Sequence, residues 1–216
     1  RFCGYMEDKI RRARQDARRF NEDPERRRAA TYWFERYEAA YLSYTHDFYC
    51  DILGTLKWLQ DEGVVEVLTS AATHGFLPLM EADSAVRAQV GVGVETYKKY
   101  FGKTPRGFWL PECAYRPQIW SEREQRMRPG IDDWLSGHGI EYFFVEHVGI
   151  TQARWIENRR REDRPATSRG YRLASGVAVF GRNEATGKQV WSPEHGYPGD
   201  PHYLEFHRKD VESGLR

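Results

Sequence analysis

Predicted strands and helices alternate along this chain at a spacing that only a few folds can accommodate. Apolar runs typical of strands end at His74, Glu112 and His147, which are 38 and 35 residues apart. Each interval fits one helical crossover between neighbouring parallel strands. The sequence therefore predicts an α/β protein with a parallel sheet.

Apolar periodicity and glycine positions give the bounds of the predicted elements. Helices are predicted at Lys9–Phe20, from Pro24 through Tyr44, from Asp51 to near Gly63, at Ser84–Phe101 before Gly102, and at Ile131–Leu135 before Gly137 or Gly139. Strands are predicted at Val64–Ser70, Arg106–Glu112, Ile140–His147, Val177–Gly181 and Gln189–Ser192.

Two further segments carry expectations of their own. An aromatic stripe with helical spacing is expected to pack in the core, and it consists of Trp33, Tyr37, Ala40, Tyr41 and Tyr44. The polar segment Arg154–Arg172 is predicted to be a long loop that overhangs the site and is mobile without substrate.

Composition excludes several classes of partner. The 216 residues contain 33 Lys and Arg against 32 Asp and Glu, so no strong field favours nucleic acid or an anionic membrane. Cys3, Cys50 and Cys113 are odd in number and lack CxxC spacing, which argues against a disulfide framework and favours a reducing, cytoplasmic compartment. Aromatic residues make up 14% of the chain, and aromatic rings can stack on the apolar faces of neutral sugars.

Reactive groups of parallel α/β proteins collect at the carboxyl ends of the strands, where His74, Glu112 and His147 are expected to open on one face. A glutamate there can attack an anomeric carbon while a second carboxylic acid protonates the leaving oxygen. Because Glu112 follows the apolar run Gly107–Pro111, burying it unpaired would be costly, which favours a functional or tightly paired role. We expect His74 and Glu112 to border a common cleft.

Two segments resemble the second and third signature blocks of glycoside hydrolase family 57, in the branch that contains 1,4-α-glucan branching enzymes: Ala72–Pro78 (ATHGFLP) and Gly107–Tyr115 (GFWLPECAY). Gln189–Ser192 followed by Gly196–Pro201 also resembles that branch. The resemblance implies a (β/α)7 barrel, a double-displacement mechanism and an α-glucan substrate, with no cofactor or metal. It also implies Glu112 as the catalytic nucleophile and His74 as a substrate-binding residue, with Trp109 shaping the same subsite; His147 joins them as a further predicted substrate contact.

The chain also departs from the family pattern. The family's first, His-containing block has no counterpart before Glu112, and the Asp that serves as general acid/base normally lies beyond the position of Arg216. Asp200, in its Gly-Pro-rich segment, is interpreted as a turn residue. We therefore expect residues 1–216 to form the central part of a single catalytic domain, with an incomplete barrel, and to be inactive alone. The second carboxylate, expected about 5 to 5.5 Å from Glu112 in the complete enzyme, would then lie outside this chain.

Alternatives remain open at this level. Within the family, α-amylase and 4-α-glucanotransferase activities share the first chemical step with branching. In other classes, the aromatic content allows a non-catalytic glucan-binding module, although such a module does not need a carboxylate at a strand end. Two histidines and a carboxylate also allow a metal-dependent hydrolase or deacetylase, but HxxxH and HExxH spacings are absent.

Overall fold

A computed structural model describes residues 1–154, 165–200, 202 and 209–215. The chain divides into two compact units. The first consists of Arg1–Leu56 and Gln189–Arg216, and the second of Lys57–Lys188. Each is described by itself below.

The first unit is built on two long helices, α1 (Phe2–Arg19) and α2 (Pro24–Leu42), followed by one π-helical turn at Ser43–Asp47. The Asp23 side chain accepts a hydrogen bond from the Arg26 backbone N–H and so caps α2, and Pro24 occupies its first turn.

The aromatic stripe of α2 is only half-buried among the described residues: α2 packs mainly against α1, and none of its residues is fully buried there. Tyr41 donates a hydrogen bond to Glu7 of α1 (2.9 Å), and the ring of Tyr44 meets that of Phe2 edge-on at 4.7 Å. The expectation that this stripe lies in the core is therefore wrong for the described unit, and Ala40 is exposed.

The second unit contains a five-stranded sheet, which consists of β1 (Thr69–Ser70), β2 (Gly107–Trp109), β5 (Tyr142–Val145), β6 (Gly170–Arg172) and β7 (Ala178–Gly181). The strands lie in the order β1-β2-β5-β7-β6. β1, β2, β5 and β7 are parallel, and β6 pairs antiparallel with β7 at the edge. A separate hairpin consists of β3 (Ile119–Ser121) and β4 (Arg126–Arg128).

Helices connect the parallel strands as predicted. α3 (Ile52–Asp61) precedes β1, α4 (Asp83–Phe101) links β1 to β2, α5 (Ile131–Gly137) links β2 to β5, and α6 (His147–Thr151) and α7 (Glu184–Trp191) follow β5 and β7. Gly102 ends α4 in the left-handed region at φ 73°, and Gly139 turns the chain after α5 at φ 79°. The α/β class with helical crossovers is confirmed.

One face of the sheet carries the core, and the other is partly open. Side chains alternate along each strand, so Phe108, Phe143 and Val179 are buried against the helices, while Trp109, Phe144 and Phe180 point to the other face. Ring centroids on that second face are 5.3 and 5.8 Å apart, forming a continuous aromatic row. Within the described residues the sheet is open between β1 and β6, as the predicted incomplete barrel requires.

Two strand predictions need correction. The run Val64–Ser70 forms a strand only at Thr69–Ser70, because the N–H groups of Val64 and Val65 bond back to the Leu59 carbonyl and that of Val67 bonds to the Gln60 side chain. The second concerns Gln189–Ser192. Residues 189–191 are the end of α7 instead, since the Asn183 side chain accepts from the Thr186 N–H and starts a helix upstream.

The predicted loop Arg154–Arg172 is also wrong in part. Its last residues, Gly170–Arg172, form β6, whose pairing with β7 supplies backbone hydrogen bonds that a loop would lack. Residues 155–164 of that segment lie outside the described residues, so the expectation of mobility stays a prediction.

Candidate active site

The site lies at the edge of the sheet where the parallel strands end. Because β1, β2, β5 and β7 run in the same direction, the segments that follow them share the carboxyl edge. These segments contain His74, Glu112, His147 and, after β7, Arg182. The topology therefore collects four chemically useful side chains at one edge.

Glu112 occupies a strained turn directly after β2. It lies in a single 3₁₀ turn, Pro111–Cys113, with a left-handed backbone at φ 55° and ψ 19°, and Cys113 follows at φ 49°. Left-handed conformations cost a non-glycine residue on the order of 1–3 kcal/mol and cluster at functional sites. The Cys113 carbonyl accepts from the Glu146 N–H (3.2 Å), which ties this turn to the end of β5.

His74 and Glu112 are in direct contact. His74 Nε2 lies 2.7 Å from Glu112 Oε1, and the ring and the carboxylate are 70% and 64% exposed. The prediction that these two residues meet on one face is confirmed by this contact, and the cleft that they were expected to border stays a prediction. The premise that Glu112 is buried is wrong, because its side chain is 64% exposed, but the expected pairing is present in the contact with His74.

The segment that carries His74 is fastened to α4 through Gln89. The Gln89 side chain accepts from the Thr73 N–H (2.9 Å) and donates to Thr73 Oγ1 (3.0 Å), while the backbone carbonyl of Gln89 accepts from the Ala72 N–H (2.9 Å). Three hydrogen bonds, two of them from backbone N–H groups, thus hold the chain just before His74. The position of the imidazole follows from the packing of α4 on the sheet.

The segment that carries Glu112 is fastened to the core through Tyr115. Its hydroxyl donates to Asp132 Oδ1 of α5 (2.8 Å), and its ring packs on Phe143 at 5.5 Å. Burial, followed by the neighbouring Asp132 carboxylate, raises the pKa of Tyr115. Tyr115 therefore stays a neutral hydrogen-bond donor that holds the turn in place.

Trp109 and His147 border the same edge but differ in their contacts. Trp109 is the last residue of β2, partly exposed, and its carbonyl accepts from Ser70 Oγ (2.8 Å). His147 begins α6, where its Nε2 lies 3.7 Å from Glu184 Oε2. The structure thus places His147 beside the end of β7, while the imidazole that contacts Glu112 is that of His74. The predicted substrate contacts of Trp109 and His147 stay predictions.

Sequence reasoning missed the polar group formed by Glu146, Arg182 and Glu184. Arg182 follows β7 directly and donates to Glu146 Oε1, and Glu184 pairs with Lys188 as well as His147. His74, Glu112 and His147 were selected because each follows a parallel strand. The same criterion, applied to the fourth parallel strand, would also have selected Arg182.

The thiol of Cys113 lies beneath this group. Burial raises its pKa, and the neighbouring Arg182 offsets the effect only in part. The thiol is therefore protonated near neutral pH and acts as a small apolar residue under the turn. Cys3, Cys50 and Cys113 are all free thiols.

Metal ligands and membrane-spanning helices are two further features to consider. Among the described residues, no three His, Cys, Asp or Glu side chains converge as metal ligands would. In the same part of the chain, no helix combines the length and apolar character needed to cross a membrane.

Fold and site together define a class: parallel α/β proteins in which a carboxylate and an imidazole ring are in contact at the carboxyl edge of the sheet. The sequence pattern described as glycosyl hydrolase family 57 matches residues 1–212, and the chain belongs to this family.

Two proteins of similar sequence are described as a branching enzyme and a probable branching enzyme. A 1,4-α-glucan branching enzyme of Thermococcus kodakarensis is 43% identical over 99% of this chain and 32% of its own length. A probable 1,4-α-glucan branching enzyme of Mycobacterium tuberculosis is 29% identical over 74% of this chain and 26% of its own length. The chain thus spans about a third or less of the length of these relatives.

Two solved structures are similar to this chain over nearly its whole length. A crystal structure of a GH57-type branching enzyme from Pyrococcus horikoshii is similar with a TM-score of 0.83 at 46% identity, covering 99% of this chain and 38% of that one. A crystal structure of the α-amylase AmyC from Thermotoga maritima has a TM-score of 0.76 at 32% identity, covering 98% and 39%. This chain therefore shares the fold of a part of these larger proteins.

Proposed function

We propose that the full-length protein is a retaining α-glucan transglycosylase, specifically a 1,4-α-glucan branching enzyme, and that this chain supplies its nucleophile. The observation that carries the proposal is the contact between His74 and Glu112 at the carboxyl edge of the parallel sheet. The similarity to branching enzymes over 99% of the chain supports it.

In the proposed first step, a Glu112 carboxylate oxygen attacks the anomeric carbon of an α-1,4-linked glucose unit. The bond from that carbon to the leaving oxygen breaks, and the leaving chain takes a proton from a carboxylic acid of the complete enzyme. A glycosyl ester on Glu112 results. In the second step, the 6-hydroxyl of an acceptor chain attacks the ester and releases Glu112. Its proton goes to the second carboxylate, the one that protonated the leaving chain in the first step.

The contact with His74 suits this chemistry. With a proton on Nε2, the imidazole donates a hydrogen bond to one carboxylate oxygen and leaves the other free to attack. The contact also fixes the rotamer of a side chain that is otherwise exposed, so less conformational freedom is lost when the sugar binds. Trp109 and His147 are assigned to the surrounding sugar subsites by their places at the same edge.

Hydrolysis is the second candidate, favoured by the similarity to the α-amylase of Thermotoga maritima. Both activities share the glycosyl ester and differ in whether a sugar hydroxyl or water attacks it. Branching conserves the number of reducing ends, whereas hydrolysis creates one with every bond that it breaks.

The test uses the full-length protein incubated with amylose. Proton NMR counts α-1,6 linkages, and a reducing-sugar assay counts chain ends in the same samples. Branching predicts new α-1,6 linkages with nearly constant reducing ends. Rising reducing ends without α-1,6 linkages would replace branching by hydrolysis, and no change in either quantity would rule out branching.

A further inference from the structure

The connection from β2 to α5 contains the β3–β4 hairpin, whose two faces differ in character. Trp120 pairs directly with Met127, so both side chains lie on one face, whereas Arg126 and Arg128 lie on the other. Trp120 and Met127 are 50% and 46% exposed. The hairpin thus presents a paired apolar surface to solvent.

The opposite face holds the hairpin in place. Asp83, the first residue of α4, accepts from Arg126 Nη2 (2.7 Å) and Arg128 Nε (2.9 Å), and Arg128 also donates to the Met80 carbonyl (3.0 Å). The side chains of Asp83 and Arg128 are about nine-tenths buried. Because these bonds fix the backbone under Trp120, the exposed indole is presented from a rigid support.

The hairpin belongs to the same connection as the proposed nucleophile. Trp120 follows Glu112 by eight residues, which at about 3.5 Å per extended residue limits their separation to roughly 28 Å. A polymer that is bound at Glu112 and continues past the edge of the sheet can therefore reach this face. A small substrate cannot use both places at once.

The chemistry of the face indicates what covers it. A flat indole beside a flexible thioether suits the apolar C–H face of a pyranose ring. Glu122, Arg123 and Glu124 in the connecting turn can bond hydroxyl groups, and their charges of both signs give no field that selects an ion. A neutral sugar chain fits this combination better than an anionic or cationic partner does.

We propose that the Trp120–Met127 face of the β3–β4 hairpin is a secondary binding surface for the α-glucan chain, outside the site of Glu112. The inference rests on the proposed function for the identity of the polymer. It assigns to the hairpin a role in holding long chains rather than in the chemical steps.

The test compares Trp120→Ala with Trp58→Ala in the full-length protein. Trp58 is similarly exposed, but it lies on α3, whose Asp61 pairs with Lys103 just before β2, at the amino edge of the sheet. We expect Trp120→Ala to raise KM for amylose about tenfold, equivalent to roughly 1.4 kcal/mol of binding, with kcat unchanged. KM for maltoheptaose should stay within twofold, and Trp58→Ala should resemble wild type with both substrates. Trp120→Tyr should restore most of the affinity.

Other outcomes overturn the inference. An unchanged KM for amylose in Trp120→Ala, or an equal rise in Trp58→Ala, removes the hairpin from glucan binding. A large fall in Tm for Trp120→Ala with unchanged KM indicates instead that the rest of the protein covers this face. Affinity electrophoresis in amylose-containing gels measures binding without turnover. A protein that forms no α-1,6 linkages but loses retardation in Trp120→Ala therefore contradicts the proposed function while supporting this inference.

Discussion

His74 Nε2 lies 2.7 Å from Glu112 Oε1, although the two residues belong to different strand–helix connections 38 positions apart. Each connection is anchored separately, the first through Gln89 of α4 and the second through Tyr115. The contact therefore results from the register of the sheet, in which Ser70 pairs with Trp109. Parallel pairing of β1 and β2 is what makes this pair of side chains a site.

Replacing Glu112 by Gln should abolish glucan transfer in the full-length protein. The amide preserves the shape but cannot form the glycosyl ester, so the rate should fall by several powers of ten. Glu141→Gln is the matched control, because Glu141 is similarly exposed but lies before β5, at the amino edge, where it pairs with Arg106. Transfer by Glu112→Gln within tenfold of wild type, measured as α-1,6 linkages formed per minute, would refute the assignment.

Replacing His74 by Ala should lower kcat on the order of 10²–10³, the loss typical of a single oriented donor at a reacting group. The Tm should change little, because the imidazole is 70% exposed and supports no core packing. His74→Gln, whose amide can still donate to the carboxylate, should recover part of the rate. A wild-type kcat in His74→Ala, or a loss fully explained by a lower Tm, would show that this contact is not used.

The features of the fold and of the site that could be predicted are those that a local sequence pattern determines. The order of helices and strands, and the collection of His74, Glu112 and His147 at one edge, follow from periodicity and from the direction of parallel strands. The exposure of Glu112 and its left-handed backbone do not, since they depend on the turn that Pro111 and Cys113 make after β2. The sequence pattern of the glycosidase family located the same residue without either property.

The errors share a physical cause. Residues 189–191 and Val64–Val67 have strand-like composition. The first form the end of α7, and the second follow α3, whose last turn accepts hydrogen bonds from the N–H groups of Val64, Val65 and Val67. The residues of β6 lie in a polar, Gly-containing segment and become a strand only because β7 offers an unpaired edge. The Asp83–Arg128 pair links positions 45 residues apart, and no local pattern indicates it.

Gly93 should tolerate no side chain, because a Cβ at this position would lie 1.9 Å from the carbonyl oxygen of Ser70. Gly93→Ala should therefore push α4 away from β1 and lower the free energy of unfolding by roughly 1–3 kcal/mol, despite the better helix propensity of Ala. Gly4→Ala in α1, where a Cβ meets nothing within 4 Å, is the control and should be neutral or stabilising. Thermal unfolding curves that rank the two variants equally would contradict the close approach of α4 and β1.

Asp83 is expected to be the main electrostatic link between the segment of His74 and that of Glu112. Asp83→Asn should lower the free energy of unfolding by about 3 kcal/mol, because it leaves the buried Arg128 without its counter-ion. The nearby ion pair of Glu81 and Arg123 has both side chains more than 80% exposed, so Glu81→Gln should cost less than about 1 kcal/mol. Urea unfolding of the two variants at neutral pH provides the comparison.

The pH dependence gives this prediction an independent readout. Burial alone would raise the pKa of Asp83, but the hydrogen bonds from Arg126 and Arg128 outweigh it and hold the pKa below its usual 3.8. A carboxyl whose pKa is lower in the folded state stabilises the fold above the unfolded pKa, and this contribution disappears as the pH falls through the folded pKa. The stability difference between wild type and Asp83→Asn should therefore be constant above about pH 5 and shrink below pH 3.8. A difference that stays constant down to pH 2 would mean that the loss in Asp83→Asn is not electrostatic.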